Sequence, residues 1–473
     1  PPAKDRAAAA SLLRVLDAPE PLSAWSRAGW QDEARKLGSA PFLEFLGCLA
    51  PGSAQCGSPR RCLRALEVCI ELFDGVAPLA SRLAASCRHA SVRAQAARWL
   101  GVHGKPAGLE LLLKDASALV QRNAVESAAR FWEAPGSASL VKAVFQLSNS
   151  GDRRLRQAVI ASLSHLEPAR LPAAKTAGEK IVRGWVLARA AARGELPGES
   201  VKLGLELLAE KTTGTEDRLD ALRLINAAFD RLEAGEDPRY ATFDTQWDRV
   251  DLSGHRETVE RTLDAIEPLA GIGDHRLVIE ARRLAGKLGS SSPGLAARMA
   301  ADTATSSPAA DDMFLLWCLA RLRGEWSAET IRKVAGIGLD LPAKIRAQGV
   351  GRDNKWNTYA RAIWERLLRR HRELGTAIVA DPRFGDPEHL GMIAGGAKET
   401  RVRAAAILLK KPLPKDAPSI GKILDYLNTQ SNKKDRDAVQ DLLRKLAGRR
   451  DLRRRTLDGL SRAPAPKDRE LFL

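Results

Sequence analysis

Apolar positions along this chain recur at helical spacing, and short polar turns interrupt them at regular intervals. His89-Ala90-Ser91-Val92-Arg93-Ala94-Gln95-Ala96-Ala97 is followed by Leu100-Gly101; a second copy runs from Asp115 to Ala124 and a third from Asp152 to Ile160. Each copy is a polar turn, an aliphatic residue (Val92, Val120, Leu155), an Arg or Gln (Arg93, Gln121, Arg156), and then an Ala-rich stretch. The aliphatic positions are about 28 and 35 residues apart, the spacing of degenerate helical repeats.

The unit has a physical logic. An Asp or Ser that closes the turn can accept bonds from the free N–H groups of the next helix. The aliphatic residue opens the stripe that packs on a partner helix, and small Ala residues one turn later let neighbours approach. Arg93, Gln121 and Arg156 fall on one ridge, within reach of the loops of the next repeat. The pattern resembles the HEAT repeat, and the predicted fold is all-α, a right-handed α-solenoid of HEAT-like helix pairs.

Looser copies follow. Glu216 to Leu224 starts a helix, with Thr213 and Glu216 spaced as a capping box. Asp274 to Ala281 is another copy, and Glu399 to Ala406 is the cleanest late one. Less regular helices are expected at 312–322, 327–337 and 357–370. The chain divides into N-terminal HEAT-like repeats (1–175), irregular helical repeats with a loop insertion near 235–252 (176–310), and C-terminal helical repeats continuing beyond the segment (311–473). Pro168, Pro172, Pro293, Pro308, Pro412, Pro414 and Pro418 mark turns within one array, because no low-complexity linker separates the parts.

Composition agrees with helix. Ala, Leu and Arg dominate the 473 residues, and aromatic residues are 5%, too few for a large sheet core. No run of apolar residues is long enough for a membrane span. The chain opens on Pro1-Pro2 without Met and stops at Leu473 with an apolar face unfinished, so a segment of a longer protein is expected. The net charge is +17, and residues 401–473 hold 19 basic and 9 acidic side chains. A solvated Arg-rich surface is the simplest account of that excess.

Motifs for catalysis are missing. The seven His residues (His89, His103, His165, His255, His275, His371, His389) form no paired motif, and each is expected at the surface or in a loop. Asp244, Asp248 and Asp251 gather near His255, but without the EF-hand spacing or its Gly. Gly391 to Gly396 has phosphate-loop spacing, but Ala397-Lys398-Glu399 follows where Lys-Ser or Lys-Thr is needed. Neither a cofactor nor a metal site is predicted, and the chain is read as no enzyme. Five of six cysteines precede residue 88. Cys48 and Cys56 flank Pro51-Gly52 and suit a loop-closing disulfide; Cys62 and Cys69, two turns apart on a helix, do not suit each other.

Two surfaces stand out. Lys433, Lys434, Arg436, Arg444, Lys445, Arg449, Arg450, Arg453, Arg454 and Arg455 form a basic patch that could track phosphates. Asp435, Asp437, Asp441 and Asp451 interleave with it at helical spacing, which favours intrahelical ion pairs. Asp311, Asp312 and Trp317, with Arg352, Asp353, Asn354 and Trp356, form a candidate polar-aromatic site where helix pairs meet; the competing structural role is tryptophans filling the core and Asp and Asn capping helices.

The stretches Thr215–Leu224, Asp311–Gly324 and Arg352-Asp353-Asn354-Lys355-Trp356-Asn357 together resemble the HEAT-repeat region of the planctomycete-type haem-binding proteins. These are large exported bacterial proteins that join helical repeats to a c-type cytochrome domain. The resemblance covers roughly residues 210 to 400 and implies an extracytoplasmic, multidomain protein in which this region spaces or presents other domains. The haem motif C-x-x-C-H is missing here, so no haem ligand carries over to any residue. The expected function is a non-catalytic scaffold for protein–protein or interdomain contact. A nucleic-acid-binding solenoid is the second reading, and an accessory region of a redox protein is the third.

Overall fold

A computed structural model describes residues 3–18, 29–47, 58–103, 106–232, 250–271, 273–304, 306–351, 356–385, 389–393 and 400. Every regular element among these residues is a helix, as the composition predicts. The late repeat copy at 399–406 lies outside the described residues apart from Thr400, as do Asp244, Asp248 and nearly all of the 235–252 insertion. The chain forms two compact units, Pro1–Val250 and Asp251–Leu473.

The first unit runs α1 (Ala3–Asp17), α2 (Gly29–Leu37), α3 (Ala40–Gly47), α4 (Pro59–Leu72), α5 (Ala77–Ala85), α6 (Ala90–His103) and α7 (Ala107–Leu113). It continues with α8 (Ala118–Ala128), α9 (Ser137–Gln146), α10 (Arg153–Leu163), α11 (Ala177–Ala190), α12 (Gly198–Ala209) and α13 (Thr215–Asp230). Packing is local in sequence: α6 lies on α5, α7 and α8, α8 on α10, and α11 on α12 and α13. The aliphatic residues that open the three repeat copies, Val92, Val120 and Leu155, are completely buried. One apolar core runs from Ala94 to Val186 and another from Val15 to Ala96. Each such fully buried aliphatic side chain contributes about 1.5–3 kcal/mol.

Helix starts follow the capping chemistry in part. Asp152 accepts from Leu155 N–H at 2.8 Å at the head of α10. A complete capping box heads α11, where Thr176 Oγ1 accepts from Glu179 N–H at 3.3 Å and Glu179 accepts from Thr176 N–H at 3.1 Å. The box predicted for Thr213 and Glu216 does not form. Helix α13 begins at Thr215 behind Gly214, which makes no side-chain cap. Glu216 instead faces Arg156 at 3.7 Å, and an ion pair with a largely buried guanidinium outweighs a solvated cap.

The ridge residues tie helix ends together. Arg93 donates to both oxygens of Asp115 in the next turn, at 2.6 and 2.9 Å, and to the Cys87 and Arg88 carbonyls just past α5. The Asp115 bond raises the Arg93 pKa. Arg156 reaches Asp217 at 2.9 Å and Asp220 at 3.2 Å, and burial is the main reason the Asp220 pKa is raised. Gln121 turns back rather than forward, to the Leu113 carbonyl that ends α7.

This carbonyl capture recurs. Arg64 takes the Ala18 carbonyl past α1, Arg170 that of Trp132, and Arg231 that of Ala191 past α11. A helix C-terminus leaves carbonyls without intrahelical donors. A guanidinium supplies several N–H groups in a fixed fork, together with a charge that suits the negative helix end.

The second unit contains α14 (Arg256–Ile266), α15 (His275–Leu288), α16 (Pro293–Ala301), α17 (Ala309–Leu319), α18 (Ala328–Ala347), α19 (Trp356–Arg370), α20 (Arg372–Ala380) and α21 (His389–Ile393). Two rows are visible in its packing. α15, α17 and α19 follow one another in one row, and α16, α18 and α20 in the other. Arginine capture appears here too: Arg282 donates to the Ala270 carbonyl at 2.8 Å, and Arg370 to the Arg321 and Leu322 carbonyls at 2.6 and 2.7 Å.

Two histidines depart from the surface position expected of them. His371 is buried with its ring stacked on Trp326, centroids 3.7 Å apart. Burial, then the neighbouring Arg370, lowers its pKa to about 4. His389 is buried as well, with Nε2 3.0 Å from the Leu339 carbonyl and Nδ1 accepting from Gly385 N–H at 3.2 Å. Each ring is enclosed by a helix or turn distant in sequence, which local spacing does not reveal.

Candidate functional site

Helix α18 is the floor of a groove. Ser327 caps it by accepting from Thr330 N–H at 3.2 Å, and Ile331, Val334, Leu339, Leu341 and Ile345 bury one side of it. Its other side carries Glu329, Arg332, Lys333, Gly336, Asp340 and Lys344, a stripe at helical spacing about 22 Å long at 1.5 Å per residue. α16 and α20 flank it, and their small residues Ala300, Ala301, Ala377 and Ala380 leave an open groove of ≈ 720 Å³. That volume falls within the range of about 300–1,000 Å³ typical of ligand sites.

Fixed charges set the groove's chemistry. Arg383, just beyond α20, reaches across to both oxygens of Asp340 on α18, at 3.0 and 2.9 Å, and holds Asp381 at 3.0 and 2.8 Å. The Asp381 bond raises the Arg383 pKa, and in return lowers that of Asp381. Gly336 is what admits this guanidinium, since a Cβ at that position would sit 2.9 Å from Arg383 Nη2. Lys333 pairs with Glu329 one turn back at 2.9 Å. The groove therefore presents paired charges of both signs along its floor, between alanine walls.

The described members of the predicted polar-aromatic site, Asp311, Asp312 and Trp317, each have a different set of partners. Asp312 is almost completely buried and pairs with Lys344 at 2.6 Å. Ser307 Oγ also donates to it at 2.6 Å. Lys344 donates further to the Ala304 carbonyl and Ser307 Oγ, at 2.6 and 2.7 Å, and Gln348 holds Ala309 N–H and the Ser307 carbonyl. Together these bonds fasten the α16–α17 turn to the end of α18. Asp311, next in sequence, turns outward and lies 3.7 Å from His275. Trp317 is half-buried rather than a core residue: it stacks on Phe314 at 5.9 Å, with Arg321 4.3 Å above its ring and Arg283 5.6 Å from Phe314. Arg352, Asp353 and Asn354 lie outside the described residues, and so does the side chain of Trp356, which opens α19.

The basic patch Lys433, Lys434, Arg436, Arg444, Lys445, Arg449, Arg450, Arg453, Arg454 and Arg455 lies outside the described residues, as do Cys48 and Cys56. Cys62 and Cys69 are buried in the first core, and burial pushes the Cys69 thiol up to about 12. Among the described residues no group of three His, Cys, Asp or Glu could hold a metal ion, and no helix is long and apolar enough to cross a membrane. Sequence reasoning did not single out Lys344, Asp340 or Arg383. Their partners lie in elements distant in sequence, and the only local signal was Asp340 and Lys344 inside an otherwise apolar stretch, Leu339 to Ile345.

No family model and no curated protein matches the chain. Among solved structures, it is similar to the crystal structure of an engineered protein from the Northeast Structural Genomics Consortium. That likeness covers 95% of this chain and 98% of the other, at 15% identity and a TM-score of 0.35. It is too distant to bear on function.

Proposed function

We propose that the chain is a non-catalytic α-solenoid of HEAT-like helix pairs that binds a protein partner, with the α18 groove as a docking surface. The observation that carries this reading is the row of α16, α18 and α20, which leaves an alanine-walled channel over a floor of charges. Packing between sequence neighbours and the recurrence of arginine capture at helix ends support a repeat architecture. The channel suits an extended peptide of about six or seven residues. Small side chains would pack against the alanine walls, and charges of both signs would meet Arg332, Lys333, Asp340 and Arg383.

A displayed random-peptide library selected on the full chain tests this. Affinities of the selected peptides are then compared for the wild type and for Ala301→Trp and Ala380→Trp, exposed positions at which an indole fills the channel. The expected result is a shared peptide consensus whose affinity falls at least about tenfold in the filled variants. Peptides that bind the filled variants equally well, or a selection with no consensus, would overturn the assignment.

A further inference from the structure

The charges that line the α18 groove are shared unequally along its length. Toward the start of the helix one carboxylate, Glu329, serves two cations. Lys333 pairs with it at 2.9 Å, and Arg332 acts on it as well, so its pKa is lowered. Arg332 is exposed and makes no hydrogen bond or salt bridge among the described residues. Toward the other end the balance reverses. Asp340 and Asp381 share the one guanidinium of Arg383, which reaches Asp340 at 3.0 and 2.9 Å and Asp381 at 3.0 and 2.8 Å.

The remaining charges leave this imbalance in place. Lys344, the other cation of the lining, is matched by the buried Asp312 at 2.6 Å. Glu373 on α20 acts on His371 and does not line the channel. One end of the groove is therefore positive by one charge and the other negative by one. Arg332, Gly336 and Asp340 follow one another at a spacing of four on one ridge of α18, which places the two excess charges about 12 Å apart along the helix. In an extended peptide the side chains on one face recur every second residue, and four residues span about 13 Å.

We propose that the groove selects an extended peptide segment with an acidic and a basic side chain four positions apart, the acid toward Arg332 and the base toward Asp340 and Asp381. This inference rests on the peptide-binding reading and names the partner which that reading leaves open. The alanine walls restrict the intervening residues to small side chains. A segment with two like charges sets one of them against an end of its own sign, and such juxtaposition is disfavoured. Nucleic acid fails for the same reason, because its repeated phosphates would meet Asp340 and Asp381.

Fluorescence anisotropy of labelled heptapeptides titrated with the full chain tests it. The first peptide carries Glu and Lys at its second and sixth positions among Gly, Ala and Ser. Its controls carry Glu at both positions, Lys at both, or Glu and Lys side by side. The wild type is expected to bind the first about fivefold more tightly than each control, by a margin that shrinks as salt is added. Arg332→Glu changes an exposed side chain and makes both ends of the groove negative, so the peptide with two Lys should then bind best. Equal affinities in the wild type, or the same order in Arg332→Glu, with binding still lost in Ala301→Trp, would overturn the charge assignment and leave the groove as a docking surface. Binding by none of the four peptides, or equal binding to Ala301→Trp, would overturn both.

Discussion

Replacing Lys344 by Met strips one partner from a buried ion pair. The Asp312 side chain is 2% exposed and that of Lys344 10%. The substitution leaves the carboxylate with Ser307 Oγ alone among the bonds described, and it also deprives the Ala304 carbonyl and Ser307 Oγ of a donor. Breaking a buried pair from one side costs about 3–5 kcal/mol. The additional lost bonds place Lys344→Met in the upper part of that range. Removing both charges, with Asp312→Leu added, eliminates the desolvation cost together with the attraction. The double variant is therefore expected within about 1–2 kcal/mol of wild type. Urea unfolding followed by far-ultraviolet circular dichroism measures the difference. With a slope of about 2 kcal/mol per molar, the single variant lowers the midpoint of its unit by about 2 M, and the double by less than about 1 M. A single variant that shifts the midpoint by less than about 0.5 M, or a double that falls as far as the single, would refute the reasoning. Either outcome would mean that Gln348, not the ion pair, holds the α16–α17 turn.

Gly178→Ala would place a Cβ 2.3 Å from the Ser148 carbonyl oxygen, a backbone atom that cannot swing away, whereas a Cβ on Gly198 meets nothing within 4 Å. The first substitution is expected to cost about 1–3 kcal/mol and the second to add about 0.4–1 kcal/mol; equal effects in thermal melts would contradict the packing. Arg93→Lys keeps the charge but loses the fork that spans Asp115 and two carbonyls, so a loss of about 1–3 kcal/mol is expected, and a neutral result would show that charge alone suffices. His371 takes up a proton near 6.5 when unfolded and near 4 when folded. Between those values the unfolded chain binds more protons, so stability rises with pH across the window and is lost as the pH falls from 6.5 toward 4, by up to about 3 kcal/mol. His371→Phe keeps a ring against Trp326, and the difference between wild type and variant should follow that curve; a flat difference would exclude the assignment.

The helices α6, α8 and α10 were legible in the sequence because their signal is local. Val92, Val120 and Leu155 announce their burial by periodicity, and Arg93 its partner in the following turn by position on the ridge, whereas Arg156 reaches past the neighbouring loop to acids on α13. The groove was not legible. Ala300 and Ala377 look like any other helix-forming alanines, and only the row of α16, α18 and α20 makes them the walls of a groove. Asp311 and Asp312 show the limit clearly. Adjacent side chains on a helix point about 100° apart, so one turns to solvent and the other inward. The sequence could not say which, because Lys344 lies on another helix.

The fold supplies a structural cause for the excess of arginine. A stack of short helices has many C-termini, and each leaves carbonyls without donors. Arg64, Arg93, Arg170, Arg231, Arg282 and Arg370 each take such a carbonyl from another element or from a preceding turn. Their charge is internal to the architecture, so a high net charge alone is weak support for nucleic-acid binding. Recognition of an anion requires cations beyond those that helix ends and carboxylates neutralise. Arg156, faced by Glu216, Asp217 and Asp220, fails that criterion because its carboxylates outnumber it.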